Sequence, residues 1–450
     1  MARRPPSEAS FALAAILAGA AALRLVGIEY GLPYGSLLDP DEQNVVPRAW
    51  RMVHGGGLDP HFFDWPTLVT YLVAPFQAFE GEPSYLAGRL VVVALAVAGV
   101  AAAWWLGARA YGRVAGAVAA VATAVESTHV AVSHAAVTDV PLTTFVAIAL
   151  ALLVAGRFPL AGVALGLATA AKWPGVLVVV PLVIVLWRRW RQLALSLALA
   201  AVAFVAASPF VVVDGGSTWS ALRRVSREHR RGWLGFEHDH WAGIAFAERL
   251  WHGLGPALVV AVLGLVAALA LRRSRADVVL GSFVVVYSLS LLPLHSHFPR
   301  YVLPLVPPLG ALAGRLRALA PVTLLLLVIP LAWSIRDDAR LTRTDTRIVA
   351  ARWIAAHVPR DATIAAESST AVPEGYRVVA IPLPLPGRDG PVSLLGAQWA
   401  LVSGAVADRV LAAQDVYPRR AAFYARLPRP AFRVDAHDGL AGPWVAVYRL

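Results

Sequence analysis

Apolar runs of fifteen or more residues recur along the first 335 positions of this chain, and no other feature restricts its fold as strongly. Inside hydrocarbon no water can hydrogen-bond the backbone, so a run of that kind must satisfy its own N–H and C=O groups as a helix. Hydrophobic residues make up 58% of the 450 positions and the mean hydropathy is +0.62. A soluble globular protein is therefore excluded and a polytopic helical membrane protein is expected. Eleven apolar segments stand out, near 10–29, 86–108, 114–128, 139–156, 158–171, 174–187, 193–213, 252–271, 277–294, 301–314 and 318–335. Several fall short of the roughly twenty residues of a full crossing. The start, MARRPPSEAS before Phe11–Val26, has the basic head and apolar core of a secretion signal. It lacks a convincing cleavage site and is expected to stay as a first span.

The charges then choose sides. There is no cysteine, which excludes disulfides and thiolate metal sites, and the net charge is +12. Basic loops on the cytoplasmic side and anionic lipid account for that charge without nucleic acid. Starting with Arg3 and Arg4 inside, the loops with Arg109 and Arg113, Arg157, Arg188 to Arg191, Arg272 to Arg275, and Arg315 and Arg317 all fall on one side. This works only if residues 158–187 cross twice, with a break at Pro174–Gly175. The exception is the loop 214–251, which carries Arg223, Arg224, Arg227, Arg230 and Arg231 on the outer side. Long loops obey the rule weakly.

With that topology the unusual polar residues collect on the outer face. Lys172 is the only lysine in the chain and sits at the outer turn of an apolar stretch, where an ammonium is either a functional group or a snorkelling anchor. The first loop, LDPDEQNVVPRAWRMVHGG, brings Asp39, Asp41 and Glu42, and LDPHFFDWPTLVTYL brings His61, Asp64 and Trp65. VESTHVAVSHAAVTDVPL adds His129, His134 and Asp139, and HSHFPRYVLP adds Arg300 and Tyr301. Convergence at one depth suits a catalytic cleft better than a path through the membrane. Each motif also has a structural reading. Asp39-Pro40-Asp41-Glu42 is a good helix start, Asp139 can cap the next span, and Arg300-Tyr301 can anchor at the interface. His129 and His134 lack the i, i+4 spacing of a helical metal pair.

These motifs resemble those of the GT-C class of membrane glycosyltransferases, closest to its bacterial branch related to dolichyl-phosphate-mannose protein mannosyltransferases and aminoarabinose transferases. Asp41-Glu42 with Gly55-Gly56 is similar to the acidic first-loop motif, and DPHFFDWPTLVTYL to the aromatic-proline segment after it. SHAAVTDVPLTTF, GLATAAKWPG and RYVLPLVPPL resemble the second-loop, lysine-turn and Arg-Tyr-Pro motifs. The resemblance implies a transmembrane catalytic module over 1–335 and a soluble α/β domain over 336–450 outside an inner membrane. It implies a polyprenyl-phosphate sugar as donor, transferred with inversion to a hydroxyl of a protein, lipid or glycan acceptor. Asp41 is the expected base, with Glu42 and Asp139 as further catalytic carboxylates. Lys172, Arg300 and Tyr301 are the expected donor-phosphate contacts, and His61, Asp64, Trp65 and His134 the substrate contacts. Asp41, Glu42 and Asp139 are also the candidates for a divalent ion, magnesium or manganese, should one be used.

The loop 214–251 has no counterpart in the resemblance. In the tail, TDTRIVAARWIAAHVPRDATIAAE reads as a helix, a turn and a strand, and RVVAIPL, WALVSG and PWVAVYRL as further strands. The tail shows no active site of its own. A transporter or flippase for a polyprenyl-linked glycan is the competing reading; it would place charges near the bilayer midplane and carry internal repeats.

Overall fold

The structure is a computed structural model that describes residues 8–35, 37–392, 394 and 396–450. Arg3 and Arg4, which set the first side in the charge pattern, lie outside the described residues. Every one of the eleven apolar segments is helical. Among the described residues three helices, Tyr85–Tyr111, Trp190–Ala207 and Arg317–Leu341, are long and apolar enough to cross a membrane alone. Two bent pairs, Arg113–Val125 with Ser127–Ser133 (57°) and Ala242–Leu254 with Ala257–Leu271 (118°), bring that to as many as five. The others are shorter apolar helices, among them Asp139–Val154 and Phe158–Ala171.

Small residues let these helices approach. Gly162 and Gly166, four apart on Phe158–Ala171, face Ser196 and Ala200 of Trp190–Ala207, where an added Cβ would lie 2.1 and 2.3 Å from backbone oxygens. Between apolar helices in lipid, such backbone contact is the main source of specific packing. The same stretch breaks where the charge pattern required. Helix Phe158–Ala171 stops at Lys172, whose backbone is extended (φ −161°, ψ 144°), and a 3-10 turn, Trp173–Val178, leads into Val179–Leu186. Pro174 cannot supply the N–H needed to continue a helix. Gly175 donates to the Lys172 carbonyl at 3.0 Å and folds so tightly that a Cβ would sit 2.2 Å from the Ala168 carbonyl carbon.

Four of the loops grouped by the charge pattern, those at residues 109–113, 157, 272–275 and 315–317, meet at one end of the bundle. Asp277 accepts from the Tyr111 hydroxyl at 2.8 Å and from Arg315 at 2.8 Å. Arg317 donates to the Tyr111 carbonyl at 2.9 Å, and Arg275 lies over the Phe158 ring. Asp139, by contrast, starts the helix that ends at Val154, beside that cluster, so it lies at the opposite end.

The tail forms strands where four were expected, together with three short ones that were not anticipated, Thr344–Asp345, Phe432–Val434 and Leu440–Ala441. Taking the strands in order, β1 (Thr344–Asp345) pairs with β6 (Leu440–Ala441). The main sheet runs β3 (Arg377–Ile381), β2 (Thr363–Glu367), β4 (Trp399–Ser403), β7 (Val445–Arg449), β5 (Phe432–Val434). β3, β2 and β4 are parallel, and β7 and β5 antiparallel to their neighbours. The helix Thr346–His357 buries Ala350 and Ile354 in the same core as Ile364, Leu401 and Val447 of the sheet.

Candidate active site

The first loop turns on its own aspartates. Asp39 accepts the Asp41 backbone N–H at 2.9 Å, which closes a tight turn. The helix then begins at Glu42, two residues after the proline, and not at Pro40 as the capping pattern suggested. Asp41 makes no capping bond and its carboxylate is left to reach outward. The next residue points the other way. Glu42 is fully buried, with its two oxygens on Arg89 at 2.9 and 2.8 Å and a third bond from the Ala136 N–H.

Arg300 gathers the carboxylates. It enters on the short helix Pro299–Leu305 and reaches Asp39 at 3.0 Å and Asp41 at 2.8 Å through its two terminal nitrogens. Its Nε faces Asp139 at 3.7 Å. Neither that nitrogen nor Asp139 Oδ2 has a hydrogen-bond partner, although both atoms are buried. Lys172 holds the other oxygen of Asp139 at 2.7 Å, and its ammonium stands 5.3 Å from the centre of the Tyr301 ring. Three carboxylates thus share two cations in a largely buried site. Burial pushes the Asp39 carboxyl above its ordinary range, Arg300 opposes this, and Asp41 adds to it. Exposure separates the three: the side chain of Asp41 is 27% exposed, Asp39 17% and Asp139 3%. Asp39 spends both oxygens on partners, whereas Asp41 has one oxygen free.

The long loop supplies residues that sequence reading did not assign. Its helix, Gly215–Arg231, ends beside the cluster. His229 Nδ1 faces the Val225 carbonyl at 2.7 Å, where only an N–H fits, so Nε2 is the acceptor for the Tyr301 hydroxyl at 2.5 Å. Burial, with the nearby Lys172 and Arg300 charges, lowers the pKa of His229 and favours this neutral form. Arg224 pairs with Asp64, whose carbonyl accepts from the Trp173 indole at 3.0 Å. Asp64 therefore ties the first loop to the lysine turn and to the arginine-rich helix at once.

Of the expected site residues, Asp41, Asp139, Lys172, Arg300 and Tyr301 converge, and Asp39 and His229 join them. Glu42 does not reach the cluster, because Arg89 and Ala136 occupy its oxygens. His134 does not either: it is fully buried, with its ring nitrogens on the Val130 and Val26 carbonyls at 2.9 Å each. His61 stands exposed beside Asp59, and Trp65 packs edge-on against Phe62. Among the described residues no three His, Asp or Glu side chains are arranged to hold a metal ion. The space between Asp39, Asp41 and Asp139 is filled by the Arg300 guanidinium, and Glu42 is committed elsewhere, so the proposed ion set does not fit. Asp39 was visible as the partner of Asp41 across one proline. Arg89 and His229 left no signal, one hidden in an apolar run and the other in a loop without a pattern.

Known proteins share this architecture. ArnT from Cupriavidus metallidurans, solved bound to undecaprenyl phosphate, superposes with a TM-score of 0.56 at 16% identity over 97% of each chain. The archaeal oligosaccharyltransferase AglB from Archaeoglobus fulgidus, solved with an inhibitory peptide and a dolichol-phosphate, gives 0.59 at 12% identity over 96% of this chain and 74% of that one. The fold is that of the GT-C membrane glycosyltransferases. No curated protein sequence matches the chain. The sequence model of glycosyltransferase family 87 matches residues 63–296, from the first loop through the lysine turn and the arginine-rich loop, and the chain belongs to that family.

Proposed function

We propose that this protein moves a sugar from a polyprenyl-phosphate donor to an acceptor hydroxyl at the outer face of the membrane, with inversion at the anomeric carbon. The observation that carries the reading is the run of ion pairs Asp41–Arg300–Asp139–Lys172, in which a partly exposed carboxylate rests on one of two cations suited to a phosphate. Family membership favours group transfer over transport. Two proteins of the same fold were solved with polyprenyl-type phosphates bound, which supports the donor class.

The reaction divides among the chain's own residues. The donor phosphate lies against Lys172 and Arg300, and Tyr301, held by His229, forms the wall beside the ammonium. The acceptor hydroxyl gives its proton to the free oxygen of Asp41 as its oxygen bonds to the anomeric carbon. The bond from that carbon to the phosphate oxygen breaks, and polyprenyl phosphate leaves with the electron pair, its charge met by the two cations. Asp139 holds Lys172 in place, and Glu42 positions the loop through Arg89.

The test is transfer by the purified chain from polyprenyl-phosphate sugars to lipid and glycan acceptors extracted from the host envelope. Asp41→Asn should abolish product while donor binding persists. Full transfer by that variant would remove Asp41 as the base and this reading with it.

A further inference from the structure

The polar face of the first-loop helix, Glu42–Val53, continues well past the reacting centre. Asp41, Asn44, Arg48 and Arg51 are spaced three, four and three residues apart and so share one face, while Glu42, Val45, Val46, Ala49 and Met52 are buried on the other. At the rise of an α-helix, Arg48 lies about 10 Å and Arg51 about 15 Å along the axis from Asp41. That end of the stripe opens on a cavity of about 280 Å³ lined by Pro47, Arg48, Arg51, Pro60 and His61.

Among the described residues neither guanidinium forms an ion pair with a carboxylate. Arg48 bonds only to the Gln43 carbonyl at 3.2 Å and the Asn44 side-chain oxygen at 3.3 Å, and stacks over the Phe62 ring. Arg51 bonds only to the Asp59 and Pro60 carbonyls, both at 3.2 Å, and its buried Nε has no partner. Asp59 and Asp64, which follow this helix, already have partners: Asp59 accepts the His61 N–H and faces its ring, and Asp64 pairs with Arg224. Burial and the neighbouring Arg51 charge work against the cationic form of Arg48, and Asp64 supports it. His61 closes the cavity in the left-handed region (φ 49°), a costly backbone for a non-glycine residue, fixed by its N–H on the Asp59 carboxylate at 2.8 Å. Two like charges held side by side and left without an ion-pair partner form a receptor for an anion.

We propose that this cavity is the acceptor's anion subsite. It takes a carboxylate or phosphate that the acceptor carries about 10–15 Å from the hydroxyl activated at Asp41. The proposal rests on Asp41 as the base, and it narrows the acceptor to an anionic glycan or a phosphorylated headgroup.

The full chain in phosphatidylcholine nanodiscs would be titrated calorimetrically with glucose 6-phosphate, glucuronate and glucose at fixed ionic strength. Either anion should bind while glucose does not, and the R48Q/R51Q double variant should lose about tenfold or more in affinity. R48Q alone, required to elute as the wild type does, should lose part of it, which covers a double variant that fails to fold. K172Q, which removes the ammonium assigned to the donor phosphate, should retain this binding. Affinity unchanged in R48Q, affinity lost in K172Q instead, or glucose bound as tightly as the anions would each overturn the proposal. The measurement is repeated in D41N, so that a failed base assignment and a failed anion subsite give different results.

Discussion

In the proposed reaction Asp41 and the donor phosphate compete for the Arg300 guanidinium. Asp41 rests on Arg300 at 2.8 Å, an arrangement that masks one of its oxygens. A phosphate arriving at Arg300 weakens that contact and frees the base when the electrophile is in place. Asp41→Asn should therefore cut transfer by about 10²–10⁴-fold, the usual weight of a general base. Donor affinity in the same variant should hold or tighten, because a competitor for Arg300 is gone; weaker donor binding on a direct assay would count against the competition. Glu42→Gln should behave differently. Its carboxylate is bidentate on fully buried Arg89, and breaking such a pair costs about 3–5 kcal/mol, so thermal unfolding should drop while any folded fraction keeps its turnover. An E42Q variant that melts like the wild type but transfers no sugar would return Glu42 to the chemistry. At this scale the sequence identified polar residues that are anomalous in apolar surroundings: Asp41, Asp139, Lys172, Arg300 and Tyr301. It could not separate a carboxylate that meets substrate from its neighbour that anchors a loop, since adjacent residues at a helix start point to opposite faces.

The elements were legible to the extent that each is decided locally. Apolar length and the Pro174–Gly175 pair were enough to place the helices and the break at Lys172, and the loops carrying Arg275, Arg315 and Arg317 do meet beside Tyr111 and Phe158. The arginine-rich helix was not placed, because its partners are distant: Tyr301, Asp64 and the His295 N–H, which donates to the His229 carbonyl at 2.9 Å. The turn at Gly175 is where an element-level change should be felt most. Its missing Cβ leaves room for the Ala168 backbone, so Gly175→Ala must push the turn away from the helix end that carries Lys172. Donor affinity should fall further in Gly175→Ala than in an alanine substitution at Gly81, a glycine with open space around it. Equal donor affinity in the two would mean that Lys172 does not depend on this turn.

At the scale of the whole molecule, the arginine-rich loop fastens the tail to the site. Leu234 packs with Val406, Val410 and Tyr417, and the Tyr417 hydroxyl donates to Glu237 at 2.5 Å, a few residues beyond His229. Whatever loosens the tail therefore loosens the loop that holds Tyr301. The tail carries a titrating weak point at the end of β2. Glu367 is buried, accepts the Ser403 N–H at 3.0 Å and meets the Tyr424 hydroxyl, and burial raises its pKa from 4.5 to about 7. Once protonated it can donate to Tyr424, and once ionised it is a carboxylate with little solvent. The folded tail thus binds this proton more tightly than the unfolded chain does. That stability is fully present below the unfolded value near 4.5 and is lost as pH rises through about 7. Limited proteolysis of the full chain should cut the tail faster at pH 8 than at pH 5, after correction for the protease's own pH dependence. Glu367→Gln, neutral throughout, should flatten that dependence, and Tyr301-dependent donor affinity should follow the same pH course. A wild-type tail equally resistant at both values would show that the buried carboxyl does not set its stability.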